Sequence, residues 1–395
     1  MGNSTLTSYF APTKVTFGKG AENEVGKALA KEGATRVLVH YGSDRIVKNG
    51  FLKKILSLID AEGIYHVELG GVVPNPRLSL AKKGIELYKK EKLDFILAIG
   101  GGSVIDSAKC IAYGSCYDGD VWDIYTKKHT PVKANPIGCI LTMAAAGSEM
   151  SDSSVITNED GNLKRGSNSD YVRLRFALEN PELTMSLPPY QTAAAVVDIM
   201  MHTMERYFVE ETLPLSQEFA FTLCREVMKA GQKAIENPED YDARATIMWA
   251  SSVSHNGFMA LGNSTRGDWA SHQIEHELSG MYDVAHGAGL AVIWPAWARF
   301  VLPKMKDKIA LFGYNVFGIS PSGDKEADSI VCIEKMEEFY KSIGMPVRIK
   351  DMGINATDAE LETMAEKCSF FSTRKVGDVV KLGKEEILEI YRLAR

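Results

Sequence analysis

The chain has 395 residues, enough for about two domains and for a core that folds without disulfides or a structural metal. Hydrophobic residues make up 45% and charged residues 24%, a globular profile that excludes disordered, collagen-like and disulfide-scaffold classes. The net charge of −6 argues against a nucleic-acid partner, because gripping a phosphate backbone takes a basic stripe.

The first twenty residues lack the apolar core of a signal peptide. MGNSTL fits an N-myristoylation pattern superficially, but a second membrane signal is missing and the match is discounted. Cys110, Cys116, Cys139, Cys224, Cys332 and Cys368 form no C-x-x-C pair, and no run of eighteen apolar residues exists. The expectation is a reduced, cytoplasmic protein with no membrane partner.

In the first half, short apolar runs alternate with helix-like segments. RVLVHYG (36–42) reads as a strand, FLKKILSLIDAEG (51–63) as a helix and YHVEL (65–69) as a strand. PNPRLSLAKKGIELYKKEKLD (74–94) reads as an amphipathic helix, FILAIGGGS (95–103) as an apolar strand running into glycines, and PIGCILTM (136–143) as a further strand. Apolar strands separated by helices imply a parallel sheet covered on both faces. After Leu187-Pro188-Pro189 the segments at 192–208, 216–236, 241–262, 326–344 and 384–394 all carry helical periodicity. The predicted organisation is an α/β domain over 1–187 followed by a mostly helical domain over 188–395.

GGGSVIDSAK (100–109) follows an apolar strand and opens a helix. Glycines let the backbone approach a phosphate, helix N-terminal amides point at the anion, and Ser103 can cap the helix or donate to a phosphate oxygen. Alone, the turn reads equally well as a tight strand-to-helix connection with no ligand. It is neither G-x-G-x-x-G nor a Walker loop.

In the helix 192–208, Asp198 and His202 lie four residues apart on one face. WASHQIEHELSGMYDVAHG (269–287) adds His272, His276 and His286 beside Glu275 and Glu277, three of the chain's eight histidines within fifteen residues. Asp198, His202 and two of those three histidines would make a four-ligand N/O site for Zn²⁺, Fe²⁺, Co²⁺ or Ni²⁺; spacing does not say which two. H-E-x-x-H is absent, so a zincin protease is not indicated. Other conspicuous residues take plain readings: Trp294, Pro295 and Trp297 as a helix terminator packing between domains, Met248, Trp249, Phe258 and Met259 as core, and His255 as a lone helix histidine.

These motifs together resemble the iron-containing (group III) alcohol dehydrogenases, in particular their butanol-dehydrogenase-like branch. The resemblance runs from about Phe10 to the C-terminus on FGKG (17–20), PNP (74–76), GGGSVIDSAK (100–109), DGDVWD (118–123), AGSEM (146–150), VDIMMHTMERYF (197–208) and HQIEHELSGMYDVAHGAGLA (272–291). It implies an N-terminal Rossmann-like domain and a C-terminal helical domain of dehydroquinate-synthase-like architecture, with the active site in the cleft between. It implies metal ligands at Asp198, His202, His272 and His286, and a catalytic histidine near the nicotinamide at His276. Cofactor contacts are implied at Gly101, Gly102, Ser103, Asp106, Thr142 and Lys164, and adenosine-ribose contacts at Gly42, Ser43 and Asp44. Arg45 beside Ser43 favours NADP over NAD.

The implied activity is a metal-dependent NAD(P)H alcohol dehydrogenase or aldehyde reductase for short- to medium-chain primary alcohols and aldehydes, as a homodimer with iron the favoured metal. Alternatives are a glycerol or diol dehydrogenase, a dehydroquinate-synthase-like lyase, or a non-catalytic metal-binding module. Two departures stand out. Ala146 replaces a usual Thr, and Asn180 replaces a usual Asp; both are expected to tune cofactor affinity.

Overall fold

A computed structural model of the chain describes residues 6–42 and 44–395, so Ser43 and most of the MGNSTL opening lie outside the described residues. The chain divides into two compact units: Phe10–Ser186 forms one, and Leu187–Arg395 with the described residues before Phe10 forms the other.

The first unit holds strands β1 (Lys14–Phe17), β2 (Arg36–Tyr41), β3 (Tyr65–Leu69), β4 (Phe95–Gly100), β5 (Ile137–Leu141), β6 (Ser153–Asn158), β7 (Leu163–Asn168) and β8 (Phe176–Glu179). Six of them form a parallel sheet in the order β1-β8-β5-β4-β2-β3, while β6 and β7 pair as an antiparallel hairpin. Every residue of β4 and β5 is buried, as a sheet with both faces covered requires. Its helices are α1 (Val25–Lys31), α2 (Arg45–Lys48), α3 (Phe51–Asp60), α4 (Leu78–Lys90), α5 (Gly102–Gly114) and α6 (Trp122–Tyr125). On α3 the buried residues are Leu52, Ile55 and Ile59, one stripe at helical spacing over the sheet core.

The strands and helices expected between residues 36 and 143 are present. Four strands were not anticipated. β1 and β8 have only four residues each, and the β6–β7 hairpin has little apolar alternation: LKRGSN carries one apolar residue, yet Lys164 and Arg165 are buried.

The second unit is helical: α7 (Pro189–Tyr207), α8 (Pro214–Glu236), α9 (Tyr241–His255), α10 (Ala270–Tyr282), α11 (His286–Val316), α12 (Lys325–Ser342), α13 (Asp358–Cys368) and α14 (Lys384–Ala394). Starts are encoded locally. Proline sits in the first turn of α7 and α8, Asp240 accepts from Ala243 N at 2.9 Å before α9, and Thr357 and Glu360 form a capping box at α13. From Thr192 to Tyr207 α7 is buried on every side, so it is the central helix of this unit.

Two sequence expectations need correction here. IWPAW does not end a helix: Trp294, Pro295 and Trp297 lie inside the 31-residue α11 and are buried in this unit's own core. Proline in a helix interior costs about 3 kcal/mol, and the packing of Trp294 and Trp297 on Phe208, at ring separations of 5.9 and 6.0 Å, offsets it. Trp249 is not core either, since it is 47% exposed while its neighbour Met248 is buried.

The helix that follows the glycine turn is pinned to the sheet by a buried imidazole. His40 Nδ1 meets the Leu69 carbonyl at 2.8 Å, so Nδ1–H donates; Nε2 then accepts from Ser107 Oγ of α5 at 2.9 Å. Burial pushes His40 down to about 4, against the pull of the Leu69 carbonyl. A folded pKa below the unfolded 6.5 contributes stability above that pH, and the contribution is lost as pH falls from 6.5 through 4, at up to ~1.4 kcal/mol per unit. Thermal midpoints of wild type and His40→Gln at neutral pH and near the lower value test this. Wild type should lose more on acidification, and equal losses would exclude His40 as the titrating group.

Candidate functional site

Two constellations emerge, one in each unit. In the first unit, β2→β3 runs one way along the sheet and β3→β4 returns to the other side of β2, which makes the C-terminal ends of β2 and β4 the topological switch point. Gly42 follows β2 there, and Gly101, Gly102 and Ser103 form the β4–α5 turn. Gly101 is extended (φ −99°, ψ −163°), and the first amides of α5 have no acceptor within the helix. A Cβ on Gly101 would lie 2.9 Å from Met143 Cβ, and one on Gly102 2.9 Å from Ala146 Cβ. Only glycine fits, and Ala146 borders the turn directly. Thr142 joins the same edge, its N–H donating to the Gly100 carbonyl at 3.0 Å.

The remaining predicted cofactor residues divide differently. Asp44 is exposed ahead of α2, and Ser43 is outside the described residues. Asp106, half-buried one turn into α5, accepts from Ser148 Oγ at 2.5 Å and Val155 N at 2.9 Å. Burial pushes its carboxyl up, opposed by Lys109 and then by the Ser148 and Val155 bonds and Lys164. Asp106 and the buried Lys164 of β7 thus brace α5 against the β6–β7 hairpin. Lys109 was missed. Its fully buried ammonium donates to the carbonyls of Ser148, Ser151 and Ser153 at 2.7, 3.0 and 2.7 Å, holding the segment that borders the glycine turn. The signal was the AK that closes GGGSVIDSAK. Asn180, one of the two departures, is buried; it donates to Glu22 Oε2 at 2.9 Å and accepts from Glu182 N at 3.1 Å. An Asp at 180 would face Glu22 as a like charge, so this departure belongs to the fold.

In the second unit, α7 and α10 bring ligand atoms of Asp198, His202 and His272 within 4.8 Å of one another, and α11 brings His286, which also neighbours Glu275 and His276, up to Asp198. His202 Nδ1, His272 Nε2 and His286 Nε2 lie 3.5, 3.6 and 3.9 Å from Asp198 Oδ1. The i,i+4 spacing on α7 aligns Asp198 with His202, and Gly287 lets α11 approach: a Cβ there would sit 1.9 Å from the Ala194 carbonyl oxygen. Asp198 Oδ1, His202 Nδ1 and His272 Nε2 are buried with no hydrogen-bond partner. Burying such atoms unsatisfied costs about 1–3 kcal/mol apiece. Three nitrogens and a carboxylate oxygen suit a borderline divalent cation, which would satisfy all of them at once.

The electrostatics agree with this fit. Burial, reinforced by His255, His272 and Arg206, pushes His202 well below the usual imidazole range and leaves it neutral. Burial would also lower His272, but without a cation the Glu205 and Asp198 carboxylates outweigh it and hold the group at about 9, so a cation at Nε2 would have to displace a proton there. His276 is half-buried, its ring 5.7 Å from that of His286, beside the cluster. His255 is more than a lone helix histidine. Its ring stands edge-on to His202 at 4.0 Å, and Trp269 lies 5.7 Å from it and 5.4 Å from His272. His255 and Trp269 are half-buried and form an aromatic wall beside the four residues. Sequence spacing gave no hint of that wall.

Comparison with known proteins gives concordant results. The family model "Iron-containing alcohol dehydrogenase" matches residues 12–181, and "Fe-containing alcohol dehydrogenase family, C-terminal" matches 192–395. The chain is 39% identical to NADH-dependent butanol dehydrogenase A of Clostridium acetobutylicum, over 97% of this chain and 98% of that protein. It is 31% identical to the NADPH-dependent aldehyde reductase YqhD of Escherichia coli, over 97% and 98%. The crystal structure of NADH-dependent butanol dehydrogenase A from Thermotoga maritima superposes with a TM-score of 0.95 at 36% identity, covering 98% of each chain.

The geometry predicts a single divalent ion bound per chain. Metal analysis of purified protein should find about one equivalent, and Asp198→Ala and His272→Ala should each lose it while retaining helical circular dichroism. Full metal content in both variants would show that the four side chains do not form the binding site.

Proposed function

Because the chain belongs to the iron-containing alcohol dehydrogenase family, we propose that it reduces short- to medium-chain aldehydes to primary alcohols, and catalyses the reverse oxidation, using a nicotinamide dinucleotide and one divalent metal ion. The chain is an oxidoreductase of that family. The observation that carries the substrate reading is the convergence of Asp198, His202, His272 and His286 on one point, at a place where buried polar atoms otherwise lack partners. In the forward direction aldehyde, NAD(P)H and a proton give alcohol and NAD(P)⁺.

When bound, the two groups supply the chemistry: the cation, iron by family, acts as Lewis acid on the substrate oxygen, and the nicotinamide carries the hydride. The protein's own residues do the rest. Asp198, His202, His272 and His286 hold the cation. Gly42, Gly101 and Gly102 admit the dinucleotide backbone, the α5 amides and Ser103 meet its phosphates, and Thr142 closes the same edge. Asp106 and Lys164 keep α5 and the hairpin in place beside it. His276, half-buried and next to His286, delivers the proton to the product oxygen through its imidazole. His255 and Trp269 present ring faces and edges to an aldehyde's alkyl part and keep water from it.

NADH is the cofactor proposed here. The relative at 39% identity is named for NADH and the one at 31% for NADPH. Arg45, the residue that would take a 2′-phosphate, donates instead to the Ser186 carbonyl at 3.1 Å and to Ser186 Oγ at 3.0 Å, while Asp44 beside it is exposed. In this reading the domain 1–187 binds the dinucleotide and 188–395 binds metal and substrate. A homodimer is proposed from the exposed Phe10 and Phe17 around β1, a strand at the end of the sheet order. A reducing cytoplasm suits the six free cysteines. Among the described residues no helix is long and apolar enough to cross a membrane.

Oxidation of NADH and NADPH in parallel, with butanal, longer aldehydes, diols and a sugar phosphate, tests the reading. Butanal turnover with NADH should dominate, fall at least ~100-fold after chelation, and return with Fe²⁺, Co²⁺ or Zn²⁺. Turnover that survives complete metal removal, or a substrate range confined to diols, would overturn it.

A further inference from the structure

Behind the two histidines contributed by α10 and α11 stand two more buried carboxylates. Glu205, on α7 three residues beyond His202, accepts from His272 Nδ1, and its other oxygen accepts from the His272 backbone N–H at 3.2 Å. Glu275, on α10 three residues beyond His272, accepts from His286 Nδ1. A carboxylate can only accept from these rings, so each Nδ1 carries a proton and Nε2 is the ring nitrogen that a cation could take. Those Nε2 atoms are the ones that face Asp198 Oδ1 at 3.6 and 3.9 Å.

The pattern steps along the helices. A carboxylate of α7 holds the histidine of α10, and a carboxylate of α10 holds the histidine of α11. Space is kept for the second pair: a Cβ on Gly289 of α11 would lie 2.6 Å from Glu275 Oε1.

From this geometry we propose that Glu205 and Glu275 are positioning residues for the cation. They lock the tautomer and ring orientation of His272 and His286, and place negative charge behind both imidazoles. Metal-bound histidines gain basicity and a fixed orientation from such partners, and losing one typically costs 10–100-fold in metal affinity. The inference rests on the metal-centre reading above. It adds two residues which that reading leaves out, and it gives the glycine at 289 a function.

The test is titration of metal-free protein with Co²⁺ alone, followed by visible absorption, with folding checked by circular dichroism. Glu205→Ala and Glu275→Ala should bind Co²⁺ about 10–100-fold more weakly than wild type and with altered absorption bands. Glu205→Gln and Glu275→Gln keep an oxygen that accepts Nδ1–H but lose the charge, so they should fall between wild type and the Ala variants. They also carry the test should an Ala variant fail to fold. Gly289→Ala, which displaces Glu275 without altering a ligand, should weaken Co²⁺ in the same direction. Wild-type affinity and absorption bands in the folded Ala and Gln variants would overturn the proposal. Wild type that takes up no Co²⁺ would instead overturn the metal reading itself, and this inference with it.

Discussion

Asp198 Oδ1 is the atom on which the helical unit turns. It sits in the middle of the most deeply buried helix, faced by three imidazole nitrogens from three helices, and it accepts no hydrogen bond. A core of Val196, Val197, Ile199, Met200, Met201 and Met204 surrounds it, all fully buried. An apolar stretch of this kind would pack more cheaply without the Asp and His, because an unsatisfied buried polar atom is a net loss and an unpaired buried charge a larger one. Keeping them makes physical sense when a cation enters and gives the three unpartnered atoms, with His286 beside them, a common partner. The same argument explains why the helices are built around the cluster and not beside it.

The packing that makes the convergence possible rests on small residues. Gly287 touches the Ala194 carbonyl region, so the first turn of α11 lies flat against α7 and His286 is delivered toward Asp198. Gly231 does the same between α8 and Val196, since a Cβ there would be 2.7 Å from Val196 Cγ2. In the sheet unit Gly101 and Gly102 play the matching part against Met143 and Ala146. In each place the glycine marks close approach more than backbone freedom: φ at Gly101 is an ordinary −99°. Motifs such as HGAG and GGGS therefore record two surfaces meeting, one of protein on protein and one with room for a ligand.

Much of this was legible in sequence, and the reasons are specific. β4 and β5 are continuous apolar runs because both faces are covered, and α3 shows its stripe because one face is wet. Asp198 with His202 stood out as polar groups in an apolar helix, and the histidine cluster at 272–286 stood out by density. Choosing His272 and His286 over His276 took the family resemblance, because all three lie at plausible spacing. What stayed hidden was decided by tertiary context. The β6–β7 hairpin buries Lys164 and Arg165, so its pattern looks like a loop; only Asp160-Gly161 hinted at a turn. Pro295 reads as a helix end until the two tryptophans that flank it are seen in the core. Glu205 and Glu275 read as ordinary polar positions, since nothing local tells a solvated glutamate from one that holds a histidine in a neighbouring helix.

Charge explains why those glutamates matter to the whole cluster. A dication held by one carboxylate and three neutral imidazoles would leave a single positive charge buried among methionines and valines. Glu205 and Glu275 over-correct that excess to a single negative charge. Arg206 returns a positive one: it donates to the His202 carbonyl at 2.8 Å and stacks 4.5 Å over Trp269. Seven charged or ionisable side chains on three helices thus bring the formal charge of a metal-loaded cluster close to zero, the condition under which burying charge is least costly. Held by these residues, a cation would supply Lewis-acid chemistry to a substrate oxygen while leaving little net charge buried in the helical core.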